Sequence, residues 1–399
     1  MQPQPDGERW DVFCRVVDNY GDVAVSWRLA RQLAREHGKQ VRLWLDDLTV
    51  LAKLRPEIDA ARDTQRLEGV EVARLREPMD APAVAEVVVE TFGCDPPEAY
   101  VRAMAARAAK PLWINLEYLS AEEWVESSHA LPSPNPRLPL VKHYFFPGFT
   151  AGTGGLLRER SLINRRDEFQ RDAGAQAAFW VSLVGKAPPE HALKVSLFAY
   201  AGAPLESLAR GCRQYPGPVW LVASEGVATS ALRSLVSPRH DTIRRNNHQG
   251  GKRRELEVFA LAFLAQDRYD QLLWAADVNF VRGEDSFVRA QWAARPFVWN
   301  VYPTDDGAHW VKMAAFLARY TGALARPQAA AVTSLWESWN RRGDEESSGK
   351  ASSSLADAWA GFIGRRAALE EHAKAWSAAL AARRDLAAEL AEFARNMVK

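Results

Sequence analysis

Five short runs in the first 116 residues are apolar almost without a break: WDVFCRVV (10–17), VRLWL (41–45), VEVARL (70–75), EVVVETF (86–92) and PLWINL (111–116). A strand with one face in water alternates polar and apolar residues. A run this continuous, rich in β-branched and aromatic residues, is a strand covered on both faces. The segments between them are of another kind. VAVSWRLARQLAREHG (23–38) places Val25, Leu29 and Leu33 four apart and closes on Gly38, which reads as a helix with its stop signal. PEAYVRAMAARAAK (97–110) reads as a second helix. Strand, helix, strand at this spacing gives a parallel, doubly wound sheet.

The segment HYFFPGFTAGTGGLL (143–157) interrupts the pattern with Gly148, Gly152, Gly154 and Gly155, and reads as a flexible connector and domain boundary. RDEFQRDAGAQAAFWVSLVG (166–185) then reads as one helix. A second set of strands follows at LKVSLFAY (193–200), PVWLVAS (218–224), ELEVFALAF (255–263), ADVNFV (276–281) and PFVWNV (296–301), with helices near 204–213, 267–275 and 286–294. The expected organisation is a first Rossmann-like domain over 1–155 and a second over 156–364. The polar stretch RRGDEESSGKASSS (341–354) reads as a mobile surface loop. The Gly- and Pro-free tail carries Leu369, Trp376, Leu380, Leu390 and Phe393 at helical spacing. It reads as one long helix or two abutting ones, and residues 365–399 are expected to pack back on the first domain.

Composition narrows the class. The 399 residues carry 51 Lys+Arg against 50 Asp+Glu, a net charge of +1, without the basic excess of a nucleic-acid coat. No apolar run approaches the ~20 residues of a membrane span, and the start, MQPQPDGERW, lacks a signal pattern. Cys14, Cys94 and Cys212 stand too far apart for a disulfide scaffold or the usual zinc spacings, so a reduced, cytoplasmic setting is the expectation. The 15 tryptophans belong mostly to cores. Any exposed ones between Trp113 and Trp124 suit a protein-docking surface.

In open parallel sheets, ligands lie beyond the carboxyl ends of the strands. Two constellations follow strands directly. After the first strand comes DNYGD, with Asp18, Asn19, Tyr20, Gly21 and Asp22. A dinucleotide fold places a glycine-rich loop here; this chain has one glycine and two carboxylates, which repel a pyrophosphate and suit a cationic or proton-donating substrate. Asp22 sits where a helix cap belongs, and capping is its simpler reading. Asp18, at the strand's end, reads as functional. In the second half, Arg282, Gly283, Glu284, Asp285 and Ser286 join a strand to a helix. Helix-start amides, a glycine and Arg282 together could hold a diphosphate, and Glu284 could accept from sugar hydroxyls. Asp285 and Ser286 are both candidate caps. Upstream, Phe263, Gln266 and Tyr269 could stack on a base and read its edge, although periodicity alone makes the two aromatics core. Ser196, Phe198 and Tyr200 alternate on one strand face, and packing is the first reading for them. His309 opens a helix and reads as structural. No GxSxG elbow appears.

Together these segments resemble the elongation factor P arginine rhamnosyltransferase family (EarP). The resemblance rests on WDVFCRVVDNYGDVAVSWRLARQLA, WINLEYLSAEEWVESSHALPSP, FFPGFTAGTGGLLRE, VSLFAY, FLAQDRYDQLLWAADVNFVRGEDSFVRAQWA and PFVWNVYP, which span most of the chain. It implies the two-domain GT-B glycosyltransferase fold, with the domains facing across a cleft. It also implies inverting transfer of L-rhamnose from dTDP-β-L-rhamnose to an arginine of elongation factor P, with no cofactor or metal required and neither nucleic acid nor membrane as partner. Carried over by position, Asp18 and Asp22 match paired catalytic aspartates, and Glu284 an essential glutamate. Phe263, Gln266 and Tyr269 match a thymine-side pocket. Ser196, Phe198, Tyr200, Arg282, Gly283, Asp285 and Ser286 fall at the donor site, to which Asn19, Tyr20 and Gly21 are also assigned. The residues by themselves leave open another GT-B glycosyltransferase, a nucleotide-sugar epimerase, or a non-catalytic sensor of a nucleotide sugar.

Overall fold

A computed structural model of the chain describes residues 8–17, 20–79, 83–225, 255–341 and 354–398. Asp18 and Asn19, and the 341–354 loop apart from its two end residues, lie outside the described residues. The chain divides into two compact units, one of Met1–Arg160 with Leu380–Lys399, the other of Ser161–Ala379.

The first unit runs β1 (Arg9–Cys14), α1 (Gly21–His37), β2 (Gln40–Leu45), α2 (Leu48–Leu54), β3 (Thr64–Leu67), β4 (Val70–Arg74), β5 (Val87–Thr91), α3 (Glu98–Ala106), β6 (Leu112–Leu116), α4 (Trp124–Ser128), β7 (Leu131–Pro134) and β8 (Val141–Phe145). Its eight strands lie in the order β3-β4-β2-β1-β5-β6-β8-β7. All neighbours are parallel except the two outermost pairs, β3 with β4 and β7 with β8. Strand β1 leads to β2 on one side and pairs with β5 on the other. Its carboxyl end is therefore the point at which the strand order reverses, and a crevice opens there in such sheets. The continuous apolar runs are the inner strands: every residue of β5 and β6 is buried. Phe13, Val88, Tyr100, Met104 and Trp113 form one core between sheet and helix α3.

The second unit runs α5 (Leu162–Arg171), α6 (Ala173–Val184), β9 (Leu193–Leu197), α7 (Leu205–Gln214), β10 (Val219–Ala223), β11 (Leu256–Ala260), α8 (Gln266–Ala275), β12 (Val278–Arg282), α9 (Asp285–Trp292), β13 (Phe297–Asn300), α10 (Ala308–Thr321), α11 (Arg326–Asn340), α12 (Leu355–Ile363) and α13 (Arg366–Ala381). Five parallel strands lie in the order β11-β10-β9-β12-β13. Here the order reverses between β9 and β12. Most of the tryptophans are accounted for by the cores: Trp180, Trp220, Trp292, Trp336, Trp339 and Trp359 are fully buried in this unit, and Trp10 and Trp27 in the other. In the stretch singled out for docking, Trp113 is buried and Trp124 is 51% exposed.

Three expectations from the sequence are corrected. The 143–157 segment is not a loose connector. It begins inside β8, and its glycines allow close packing: a Cβ on Gly154 would lie 2.3 Å from the Phe145 ring, and one on Gly155 2.5 Å from the Arg384 carbonyl. The 166–185 helix is two helices. Asp172 leaves the helical conformation and its carboxylate accepts from the Ala175 amide (2.8 Å), so it ends α5 and caps α6. The tail is the expected alternative of two abutting helices, divided at Asp385, which accepts from the Ala388 amide (3.1 Å) and starts α14 (Leu386–Met397); what is corrected is the expectation that all of 365–399 packs back on the first domain. Only the last of these helices joins the first unit, where it lies along α1. Nearly all of α13 belongs to the second unit, its Trp376 donating to Gln291 (2.9 Å).

Candidate functional site

In the first unit the loop after β1 opens at the reversal point. Helix α1 begins one residue before Asp22, and its cap position is Tyr20, with no side-chain cap bond. Asp22 is therefore not the cap. Its carboxylate turns back toward the sheet, where Oδ2 accepts from the Val17 amide (3.0 Å) and Oδ1 accepts from the Tyr118 hydroxyl (3.3 Å). Only 2% of the residue is exposed. A buried carboxylate needs donors, and these two also fix the plane of the group. Its place in the first turn suits the positive end of the helix dipole. Tyr20 and Gly21 are half-buried beside it, and Lys53 donates to the Tyr20 hydroxyl (3.2 Å).

Tyr118, Phe92, Asn115 and Glu117 were not singled out in the sequence. Phe92 follows β5, Asn115 lies near the end of β6, and Glu117 and Tyr118 follow it; these are the next strands across the sheet, and the rule that selected the loop after β1 applies equally to WINLEY. The Tyr118 ring stacks on Phe92 at 4.3 Å, with 14° between the planes. Phe92 holds φ +59°, a left-handed conformation rare for a bulky residue and frequent at functional sites. Burial raises the Glu117 carboxyl above its ordinary range, and the Asn115 amide, donating to it (2.5 Å), pulls the other way. The unit thus presents a fixed carboxylate, a second acid held by Asn115, and an aromatic face that is 37% exposed at Tyr118. Such a set orients and deprotonates a cationic or weakly nucleophilic nitrogen.

In the second unit, Arg282 ends β12, is 8% exposed, and lies with its Cζ 4.2 Å from the Phe198 ring centroid and 4.7 Å from that of Tyr200. Its guanidinium also donates to the Ala199 carbonyl (3.3 Å). The strand end of β9 thus seats the cation. Phe198 meets Tyr269 edge to face at 5.9 Å, and Tyr200 meets the half-exposed Tyr302 at 5.4 Å. Gly283, at φ +60°, turns the chain, and its carbonyl is pinned by the Trp299 indole (2.8 Å). Glu284, at the cap position of α9, makes no side-chain cap bond. Asp285 and Ser286 do not cap either. Asp285 opens the helix, and the Ser286 hydroxyl binds the strand end, accepting from the Arg282 amide (3.0 Å) and donating to the Arg282 carbonyl.

Phe263 follows β11, its amide donating to Glu225 (2.9 Å). Gln266 is buried at the start of α8. Burial pushes the Tyr269 phenol above its ordinary range, with Ser286 pulling it back. Ser196 stands apart from the others: its hydroxyl donates to Asn279 across the β9–β12 pair and is 2% exposed. It packs the sheet. His309 is structural: its Nδ1 accepts from the Thr304 amide (3.2 Å), tying the start of α10 to the loop before it. Among the described residues, no three His, Cys, Asp or Glu side chains converge to hold an ion, and no helix is long and apolar enough to cross a membrane.

Residues 10–395 match the family described as elongation factor P (EF-P) rhamnosyltransferase EarP. A protein-arginine rhamnosyltransferase of Pseudomonas putida is 45% identical over 97% of this chain and 98% of its own length. One of Pseudomonas aeruginosa is 43% identical over 96% and 98%. A solved structure described as the basis for EarP-mediated arginine glycosylation of translation elongation factor EF-P is 34% identical, covers 98% of this chain and 99% of its own, and superposes with a TM-score of 0.65. The fold, α/β with two Rossmann-like sheets, is that of the GT-B glycosyltransferases. With nearly the whole length matched, this chain is a glycosyltransferase that belongs to the EF-P rhamnosyltransferase (EarP) family.

Proposed function

We propose that the protein moves L-rhamnose from dTDP-β-L-rhamnose onto an arginine side chain of elongation factor P, with inversion at the anomeric carbon. The observation that carries this is the carboxylate of Asp22, buried at the strand-order reversal of the first unit and held by the Val17 amide and the Tyr118 hydroxyl. A guanidinium is a poor nucleophile, because its lone pair is delocalised and its pKa exceeds ~12. It must be oriented, and a proton must leave as the new bond forms. Asp22 orients the guanidinium, and the exposed Tyr118 ring offers it a stacking face. Asp18, outside the described residues, is assigned the base from its place in the DNYGD loop. A guanidine nitrogen attacks the anomeric carbon, the bond from that carbon to the diphosphate oxygen breaks, dTDP departs with the electron pair, and the proton passes to Asp18.

The donor is read in the second unit. Arg282 and the first-turn amides of α9 face the charge that grows on the leaving diphosphate, Glu284 accepts from the sugar hydroxyls, and Phe263, Gln266 and Tyr269 take the base. The test is mass spectrometry of elongation factor P after incubation with enzyme and dTDP-rhamnose, which is expected to show one added deoxyhexose on an arginine. Asp22→Asn keeps an acceptor for the Val17 amide and removes the charge. Transfer is expected to fall by roughly 10²–10⁴-fold, with dTDP affinity unchanged in calorimetry. Full transfer by that variant would overturn the assignment.

A further inference from the structure

We propose that the ion pair between Asp270 and Arg289 is a positioning device for the donor site, and that its function is to set the register of α8 against α9. The inference rests on the donor reading above. Arg289 donates to Asp270 through two separate bonds, Nε to Oδ1 (3.0 Å) and a terminal nitrogen to Oδ2 (2.6 Å). Both side chains are all but excluded from solvent, at 1% and 2% exposure. A buried pair is expensive to desolvate, and apolar residues of similar volume commonly replace such pairs without loss of stability. What a forked pair does supply is geometry, because a guanidinium and a carboxylate joined at both ends cannot rotate or slide against each other.

The place of the pair in the two helices indicates what that geometry controls. Asp270 follows Gln266 by four residues on α8, and Arg289 follows Asp285 by four on α9. Each partner therefore lies one helical turn, about 5.4 Å, behind a first-turn residue assigned to the donor, and on its side of the helix. The first turn of α8 is also tied to its neighbours, Arg268 donating to Ser182 of α6 (2.6 Å) and Tyr269 reaching Ser286 of α9, and further ties lie at its far end. Gln170 donates to the Trp274 carbonyl (3.1 Å) and the Ala293 carbonyl (3.0 Å), joining the carboxyl ends of the two helices, and Asn279 donates to the Leu273 carbonyl (3.0 Å). The Asp270–Arg289 pair is the forked, buried ion pair that joins the amino halves of the two helices, one residue on from the Tyr269–Ser286 contact, where the base pocket on α8 meets the phosphate loop before α9. Without it, Gln266 and Tyr269 can shift relative to Glu284 and Asp285 while both helices stay folded.

The test uses the full-length enzyme and two variants. Asp270→Leu with Arg289→Leu replaces the pair by apolar side chains and leaves no lone buried charge; Arg289→Lys keeps the charge and loses the fork. The double variant is expected to melt within a few degrees of the parent or above it. Its dTDP dissociation constant and its donor KM are expected to rise at least tenfold, with the acceptor KM unchanged. Arg289→Lys is expected to fall between the two. A pair that served only stability would lower the melting temperature or the active fraction, and hence kcat, without moving donor KM. A double variant that binds dTDP within twofold of the parent overturns the inference and leaves the donor reading standing. A parent enzyme that does not bind dTDP overturns both.

Discussion

At the scale of single residues, the proposed chemistry turns on what holds the Asp22 carboxylate. One oxygen is fixed by a backbone amide that no substitution can remove, the other by the Tyr118 hydroxyl at 3.3 Å. Tyr118→Phe retains the stack on Phe92 and deletes that donor. A long bond at a part-exposed site contributes about 1 kcal/mol, so kcat is expected to fall roughly fivefold with melting temperature unchanged. Steady-state transfer kinetics beside a thermal melt check both halves. Asp22 is legible in the sequence as a residue at a strand-to-helix junction and, by resemblance, as one of two catalytic aspartates; the capping reading is the part the structure corrects. The carboxylate instead turns back to the sheet, because its partners come from the loop before it and from the loop that follows β6, two strands away in the sheet. Tyr118 was missed for the same reason: its partner is 96 residues distant.

Among the elements, the glycine segment before residue 160 shows how composition can mislead. Four glycines in ten residues suggest looseness, yet Gly155 holds φ +71° with the Arg384 carbonyl 2.5 Å from where a side chain would begin. Gly155→Ala is expected to destabilise the first unit by about 2–3 kcal/mol, from the left-handed conformation and from displacing the chain that leads into α14. A lower urea midpoint measures it. Helix α14 itself buries Leu390 completely in the unit that contains α1. Leu390→Ala is expected to cost about 2–5 kcal/mol, read by the same titration. Arg9 and Glu86 clasp the amino ends of β1 and of the strand beside it, β5, with the Arg9 amide, Nε and a terminal nitrogen all donating to the Glu86 carboxylate. That clasp lowers the Glu86 carboxyl from 4.5 to about 2. The folded value is the depressed one, so the contribution is present above pH 4.5 and is lost as pH falls toward 2. Both groups are about a third exposed or more, and solvent screening limits the effect to about 1 kcal/mol. Urea midpoints of the parent and of Glu86→Gln are expected to converge across that window.

For the whole molecule, each unit places its candidate residues where its own strand order reverses, after β1 in one and after β9 and β12 in the other. The strands and most helices were legible because a strand covered on both faces must be apolar throughout, and an amphipathic helix must repeat its apolar side every three to four residues; both are local demands on composition. The loops DNYGD and RGEDS were legible by their place after such strands. The sequence by itself therefore determined the two parallel sheets and the junctions at which the chemistry is proposed. Tertiary structure alone decided which oxygen of Asp22 meets which donor, that Ser286 holds the Arg282 backbone rather than capping its helix, that Ser196 packs the sheet, and that the tail breaks into two helices at Asp385 while the second unit ends at Ala379. Hydrogen bonds and ion pairs between residues far apart in sequence leave no period in the chain, because their partners are brought together only when the sheets form.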